Sequence, residues 1–137
     1  MNSEYTALTR LKKMGFRRCG SWSFQNGRLN FVLTDNGQDQ NVLYAFISDG
    51  EVLYIGKTVQ PLKKRMCGYQ NPGPTQSTNI KGNEQIRGVL EVKNPVEIYT
   101  LPDNGLLYYG GFHVNLAAGL EDSLVKELQP AWNRSGK

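Results

Sequence analysis

The sequence has little with which to hold a transition metal or to staple itself: one histidine and two cysteines stand in 137 residues. Cys19 and Cys67 lie 48 positions apart, and neither belongs to a Cys-x-x-Cys or Cys/His cluster, which argues against a disulfide framework and against a zinc site. A reducing, cytoplasmic setting is the expectation. Long apolar runs are lacking too. The longest stretch free of Asp, Glu, Lys and Arg, residues 104–120, contains Asn104, His113, Asn115 and four glycines, so no membrane partner is expected. No secretory or transit signal is expected at the start. Repeats, low-complexity tracts and an interdomain linker are also missing, which leaves one compact domain.

What is present is an ordinary globular composition, 39% hydrophobic residues plus 15 glycines, with a net charge of +4. That is enough apolar material for a single core. The charge is uneven. Residues 1–40 carry six basic side chains against three acidic ones, and residues 41–137 carry ten against nine. A mildly basic total therefore hides a distinctly basic end suited to a polyanion.

Pattern along the chain predicts a helix over residues 3–14, with Tyr5, Leu8 and Leu11 or Lys12 at helical spacing and Gly15 just beyond. Residues 21–25 and 28–33 flank Asn26-Gly27, a strong two-residue hairpin signal. A loop is expected over residues 34–41. Two apolar runs, 42–47 and 52–56, then form a second hairpin around Ser48-Asp49-Gly50-Glu51. Pro61 suits the first turn of a helix reaching about Cys67. A second helix ends near Glu91, weakened by Gly82 and Gly88. Residues 96–101 form a third strand behind Pro95, and a glycine-rich loop through Gly110-Gly111 leads to a helix from an Asn115 cap to Leu128. The expected fold is α+β: a small three-stranded antiparallel sheet flanked by helices, with an N-terminal helix-and-hairpin extension over 1–40 and a core over 41–137.

Register in the second hairpin decides whether two tyrosines cooperate. A loop of Asp49-Gly50 alone puts Tyr44 and Tyr54 on opposite faces, whereas a Ser48-Asp49-Gly50 loop with Gly50 as a bulge puts them directly opposite each other. In the helix after Pro61, Arg65 and Tyr69 are four apart and share a face, an arrangement fit for phosphate oxygens. Glu121 falls inside the apolar arc made by Leu116, Ala117, Leu120, Leu124, Val125 and Leu128, while Asp122 and Lys126 fall outside it. A carboxylate so placed needs a partner. Either a salt bridge to Arg65 or Arg87 supplies it, or a cation such as Mg²⁺, which accepts one protein carboxylate and completes its shell with water and phosphate. His113, in its loop without a nearby ligand partner, reads as incidental.

Taken together these residues resemble the GIY-YIG nuclease family. Val42-Leu43-Tyr44 stands where the first signature tripeptide is expected, with valine for the first glycine, and Tyr54-Ile55-Gly56 matches the second verbatim. Arg65 and Tyr69 follow on a helix, then Glu121 late in the chain and Asn133 after it. Restriction-type members are the more similar branch. The resemblance implies an Mg²⁺- or Mn²⁺-dependent endonuclease that hydrolyses DNA phosphodiesters. On that reading Tyr44 deprotonates or orients the attacking water with Tyr54 in support, Arg65 steadies charge on the phosphate, and Tyr69 touches phosphate or water. Glu121 ligates the metal and Asn133 holds the tyrosine side.

The same resemblance favours the three-residue loop, with Tyr44 directly opposite Tyr54. A phenol base at neutral pH needs positive charge beside it, from Lys57, Arg65 or the metal. Expected DNA contacts are Lys57, Arg65 and Arg87 in the core and Arg17, Arg18 and Arg28 in the basic segment. The protein is expected as a monomer or homodimer. The alternative is a nucleic-acid-binding module that keeps the fold without turnover.

Overall fold

The computed structural model describes residues 6–101 and 108–134. Helix α1 spans Ala7–Met14, begun by the Thr6 side chain accepting from the Thr9 N–H and ended by Gly15 at φ 120°. That cap sets the start at residue 7; the part of the predicted helix over residues 3–5 lies outside the described residues. Strands β1 (Arg17–Gln25) and β2 (Arg28–Leu33) form the hairpin signalled by Asn26-Gly27, both of which take positive φ. Next come β3 (Val42–Ser48), β4 (Glu51–Thr58), α2 (Leu62–Gln70), α3 (Ser77–Glu91) and β5 (Val96–Leu101). A minimal hairpin of β6 (Tyr108–Tyr109) and β7 (Phe112–His113) turns at Gly110-Gly111, followed by α4 (Leu116–Leu128) and α5 (Ala131–Arg134). Asn115 caps α4 by accepting from the Ala118 N–H. Among the described residues no helix is long and apolar enough to cross a membrane.

The sheet has five antiparallel strands in the order β2-β1-β5-β3-β4, not the three expected. The N-terminal hairpin is therefore part of the main sheet, with β1 bonded directly to the central strand β5. Its apolar residues explain why: Cys19, Trp22 and Leu29 are buried in the same cluster as Tyr44, Phe46, Val96 and Ile98. Burial pushes the Cys19 thiol up to about 12, so it packs as a small neutral hydrophobe, and Cys67 is exposed and unpaired.

All of β3 is buried, as a strand covered on both faces must be. Val42, Tyr44 and Phe46 join Leu62, Met66 and Tyr69 of α2 and Ile86 of α3 on one side. Leu43, Ala45 and Ile47 join Leu11 of α1 and Ala117 of α4 on the other. The result is three layers, with α2 and α3 on one face and α1 and α4 on the other.

The β3–β4 register corrects the expected loop. Asp49 (φ 48°) and Gly50 (φ 80°) alone make the turn, both left-handed as a primed two-residue turn requires. Ser48 then faces Glu51 and Ile47 faces Val52, but Phe46 faces Tyr54, which leaves Leu53 as an extra residue in β4. This bulge reverses the alternation beyond it. Tyr54 lands on the Tyr44 face after all, opposite Phe46, while Tyr44 lies opposite Gly56.

Two glycines make room for the tyrosines. A Cβ on Gly56 would stand 2.7 Å from Cζ and the hydroxyl of Tyr44 and 2.8 Å from Cε2 of Tyr54. A Cβ on Gly82 in α3 would stand 2.6 Å from the Tyr69 ring, whereas Gly88 in the same helix has nothing within 4 Å. Helix propensity favours alanine at both positions by roughly 1 kcal/mol. Gly88→Ala is therefore expected to stabilise the protein by about 0.5–1 kcal/mol. Gly82→Ala is expected to destabilise it by about 1–3 kcal/mol, since overpacking outweighs propensity. Urea unfolding of the two variants checks the opposite signs.

Candidate active site

Strand β3 and helix α2 bring two phenols and a guanidinium into one hydrogen-bonded group. The hydroxyls of Tyr44 and Tyr69 are 2.6 Å apart, and Nη2 of Arg65 donates to the Tyr69 hydroxyl at 2.9 Å. The Arg65 guanidinium also lies over the Tyr69 ring, 4.1 Å from its centroid. This requires α2 to run unbroken through Gly68 to Gln70, which it does, so Arg65 and Tyr69 share a face as predicted. Tyr54 completes an aromatic cluster, its ring centroid 6.1 Å from that of Tyr44 and 5.8 Å from that of Phe46.

Helix α3 supplies a supporting shell that the sequence reading missed. Nη1 of Arg65 donates to Oδ1 of Asn79 at 2.6 Å, and Nδ2 of Asn79 donates to Oε1 of Gln76 at 3.0 Å. Gln76 is fixed in turn by the Gly73 N–H at 2.9 Å. One turn on, Nδ2 of Asn83 donates to the carbonyl of Tyr69 at 2.8 Å. The signal in the sequence was Asn79 and Asn83 at i and i+4, a polar stripe that looks like ordinary helix surface.

Strand β4 is an edge of the sheet, and Asn133 of α5 closes that edge. Its Oδ1 accepts from the Ile55 N–H and its Nδ2 donates to the Ile55 carbonyl, both at 2.9 Å. The side-chain amide thus takes the place of a neighbouring strand's peptide group. Beside it opens a cavity of about 410 Å³ whose walls include Tyr54, Tyr69, Lys81, Trp132 and Asn133. Neither Tyr44 nor Arg65 lines it.

Burial dominates the electrostatics of the buried phenols. Tyr44 and Tyr69 are each only 1% exposed. Burial raises the Tyr44 hydroxyl well above the ordinary phenol value and Tyr54 adds to the rise, while Arg65 pulls downward without cancelling it. Tyr69 is raised for the same leading reason, with Tyr44 and Tyr54 adding and Arg65 opposing. Arg65 by itself therefore does not bring either hydroxyl down to the ordinary phenol value. Lys57, one of the expected sources of positive charge, stands on the other face of β4, the face opposite Gly56.

Glu121 lies on α4, on that second face, its side chain 28% exposed. It pairs with neither Arg65 nor Arg87; its ionic neighbour is Lys57, with Nζ 3.9 Å from Oε1. At that separation the pair is not a hydrogen bond, and neither carboxylate oxygen accepts one from a described residue. Among the described residues no three His, Cys, Asp or Glu side chains gather into a cage. A half-buried carboxylate with open oxygens does fit a hard cation that takes one protein ligand and fills its shell with water and phosphate. Of the remaining residues singled out, Arg18 is engaged by Glu97 at 2.6 Å and Arg17 is exposed on β1. Arg28 and Arg87 line a separate cleft, and His113 packs edge-on against Tyr108.

Comparison with known proteins adds the fold. No protein-family model matches the sequence, and no curated protein matches it. Solved structures do match in shape. A mutant of bacteriophage T4 EndoII superposes with a TM-score of 0.72 at 20% identity, covering 94% of this chain and 98% of that one. The restriction endonuclease HPY188I in complex with product DNA gives 0.56 at 16% identity, over 90% of this chain and 79% of that one. The chain thus shares an α+β fold that nucleases adopt.

The raised phenols carry a consequence for stability. A tyrosine whose folded pKa lies above its unfolded value of about 10 binds its proton more tightly in the native state. Its contribution is complete below pH 10 and declines as pH rises from there toward the folded value. Melting temperature is thus expected to hold steady from pH 8 to about pH 9.5 and to fall beyond. The alkaline fall should be shallower in Tyr44→Phe than in the wild type. Parallel slopes for the two proteins would refute this reading.

Proposed function

We propose that this protein is a metal-dependent DNA endonuclease of the GIY-YIG type, restriction-like in architecture, that hydrolyses phosphodiester bonds. The observation that carries the proposal is the Tyr44–Tyr69–Arg65 group on β3 and α2 with Tyr54 of the edge strand on the same sheet face, in a fold that two nucleases share. Arg65 is always cationic and its fork matches phosphate oxygens, so it is the group to meet charge that develops on the scissile phosphate. Asn79 holds the guanidinium from the far side, which fixes its orientation before substrate arrives. Tyr54 and Tyr69 line the cavity, and there they orient an attacking water by hydrogen bonding. Tyr44 stands behind Tyr69 and holds its hydroxyl in place.

Glu121 would hold Mg²⁺ or Mn²⁺ with water in the other positions. Such an ion supplies Lewis-acid polarisation of the phosphate and steadies the leaving oxygen. Asn133 keeps the edge strand, and with it Tyr54, in position. A single site of this kind cuts one strand, so a double-strand break takes two copies or two events.

The test is nicking of supercoiled plasmid with Mg²⁺ and without it. Cleavage is expected only with the metal, and Arg65→Ala and Glu121→Gln should each lower the rate by about 10²-fold or more. Wild-type cutting by Glu121→Gln would overturn the metal assignment, and retention of DNA without cutting in any metal would identify a binding module instead.

A further inference from the structure

A second polar cleft lies at the far end of the α2–α3 pair, away from the cluster just described. It has a volume of about 210 Å³ and is walled by Arg28 at the start of β2, Gln70 and Asn71 from the end of α2, and Asn83 and Arg87 from α3. No carboxylate lines it. Arg28 and Arg87 form no ion pair with any described residue. The Arg87 guanidinium is the unusual group, because its Nε is buried and has no hydrogen-bond partner. None of its N–H groups donates to a described residue. A partly buried cation with unspent donors is an unfavourable arrangement by itself, and an oxyanion in the cleft would take up the guanidinium's other N–H groups, which likewise have no partner among the described residues.

Position in the helix says which oxyanion. Asn79, Asn83 and Arg87 recur every four residues along one stripe of α3. The first orients Arg65, the second holds the Tyr69 and Gln70 carbonyls, and the third enters the cleft. At 1.5 Å per residue the stripe is about 12 Å long, a span over which one nucleic-acid strand presents a few phosphates. The two guanidiniums at the Arg87 end match phosphate oxygens, with Arg capable of bidentate contact.

We propose that this cleft binds a non-scissile backbone phosphate of the substrate, a few nucleotides from the cut, and so sets the register of the strand on Arg65. The inference rests on the nuclease reading above. Its test is the affinity of the full chain for a DNA duplex, measured by fluorescence anisotropy without divalent metal across a series of NaCl concentrations. Each of Arg87→Gln and Arg28→Gln should weaken binding and reduce the slope of log K against log salt by about 1, the signature of one lost phosphate contact. Lys126→Gln removes the same charge from the exposed side of α4 and should leave the slope unchanged. Arg28 is exposed, so its variant stays informative even where Arg87→Gln fails to fold.

Wild-type slopes in both arginine variants would overturn the proposal while leaving the nuclease reading intact. A wild-type protein that retains no DNA at low salt would overturn both. A thermal shift by inorganic phosphate that Arg87→Gln abolishes, beside an unchanged duplex slope, would mark a free-anion site and overturn the backbone assignment.

Discussion

The 2.6 Å contact between the Tyr44 and Tyr69 hydroxyls constrains most of what surrounds it. Both phenols are buried, and a buried hydroxyl left without a partner costs on the order of 1–3 kcal/mol. The two must therefore find each other, which ties the centre of the sheet to α2 at one point. The glycines answer to this. Gly56 leaves β4 flat where the Tyr44 ring crosses it, and Gly82 leaves α3 open where the Tyr69 ring enters. Arg65 follows from the same constraint, since Tyr69 needs a donor for its remaining lone pair and Arg65 is one turn away on the same helix face. Asn79 of α3 then serves in a structural sense to satisfy Arg65, and the chain of dependence runs outward from one hydrogen bond.

The same burial decides the chemistry available to the phenols. An arginine beside a tyrosine suggests a lowered pKa, and in a solvated setting that would hold. Here removal of the hydroxyls from water acts more strongly than the guanidinium, and neighbouring phenols add to the rise at Tyr44 and Tyr69. A neutral, rigidly held phenol is a good hydrogen-bond partner for water and a poor proton acceptor.

Much of this could be read from the residues in order. Alternating and continuous apolar runs located β3, β4 and β5, and Asn26-Gly27 located the first hairpin. The four-residue spacing of Arg65 and Tyr69 was sufficient to put them together, because a helix converts spacing directly into proximity. What stayed hidden depends on contacts between distant segments or on local irregularity. The pairing of β1 with β5 joins residues about eighty positions apart, with no local sign of which strand a hairpin edge will meet. The Leu53 bulge is silent because Val52-Leu53-Tyr54-Ile55 is apolar throughout, so no polar residue marks the break in alternation. Glu121 was correctly read as a carboxylate in an apolar arc, but its neighbour proved to be Lys57, set by the way α4 crosses β4 rather than by anything along α4 itself.

Placing the site at an edge strand resolves an apparent conflict in the geometry. The tyrosines and Arg65 belong to one face of the sheet, and Glu121 with Lys57 belongs to the other. In the interior of a sheet such groups would be separated by a layer of paired strands and could never serve one ligand. At β4 only a single strand intervenes, and its outer hydrogen-bonding groups at Ile55 are taken by Asn133 rather than by another strand. On the proposed function, a phosphate approaching at this edge would be flanked by groups from both faces. The edge must also stay closed to a second chain, which would otherwise pair with it and bury the site. One asparagine amide, bonded to both the N–H and the carbonyl of a single residue, meets both requirements at once.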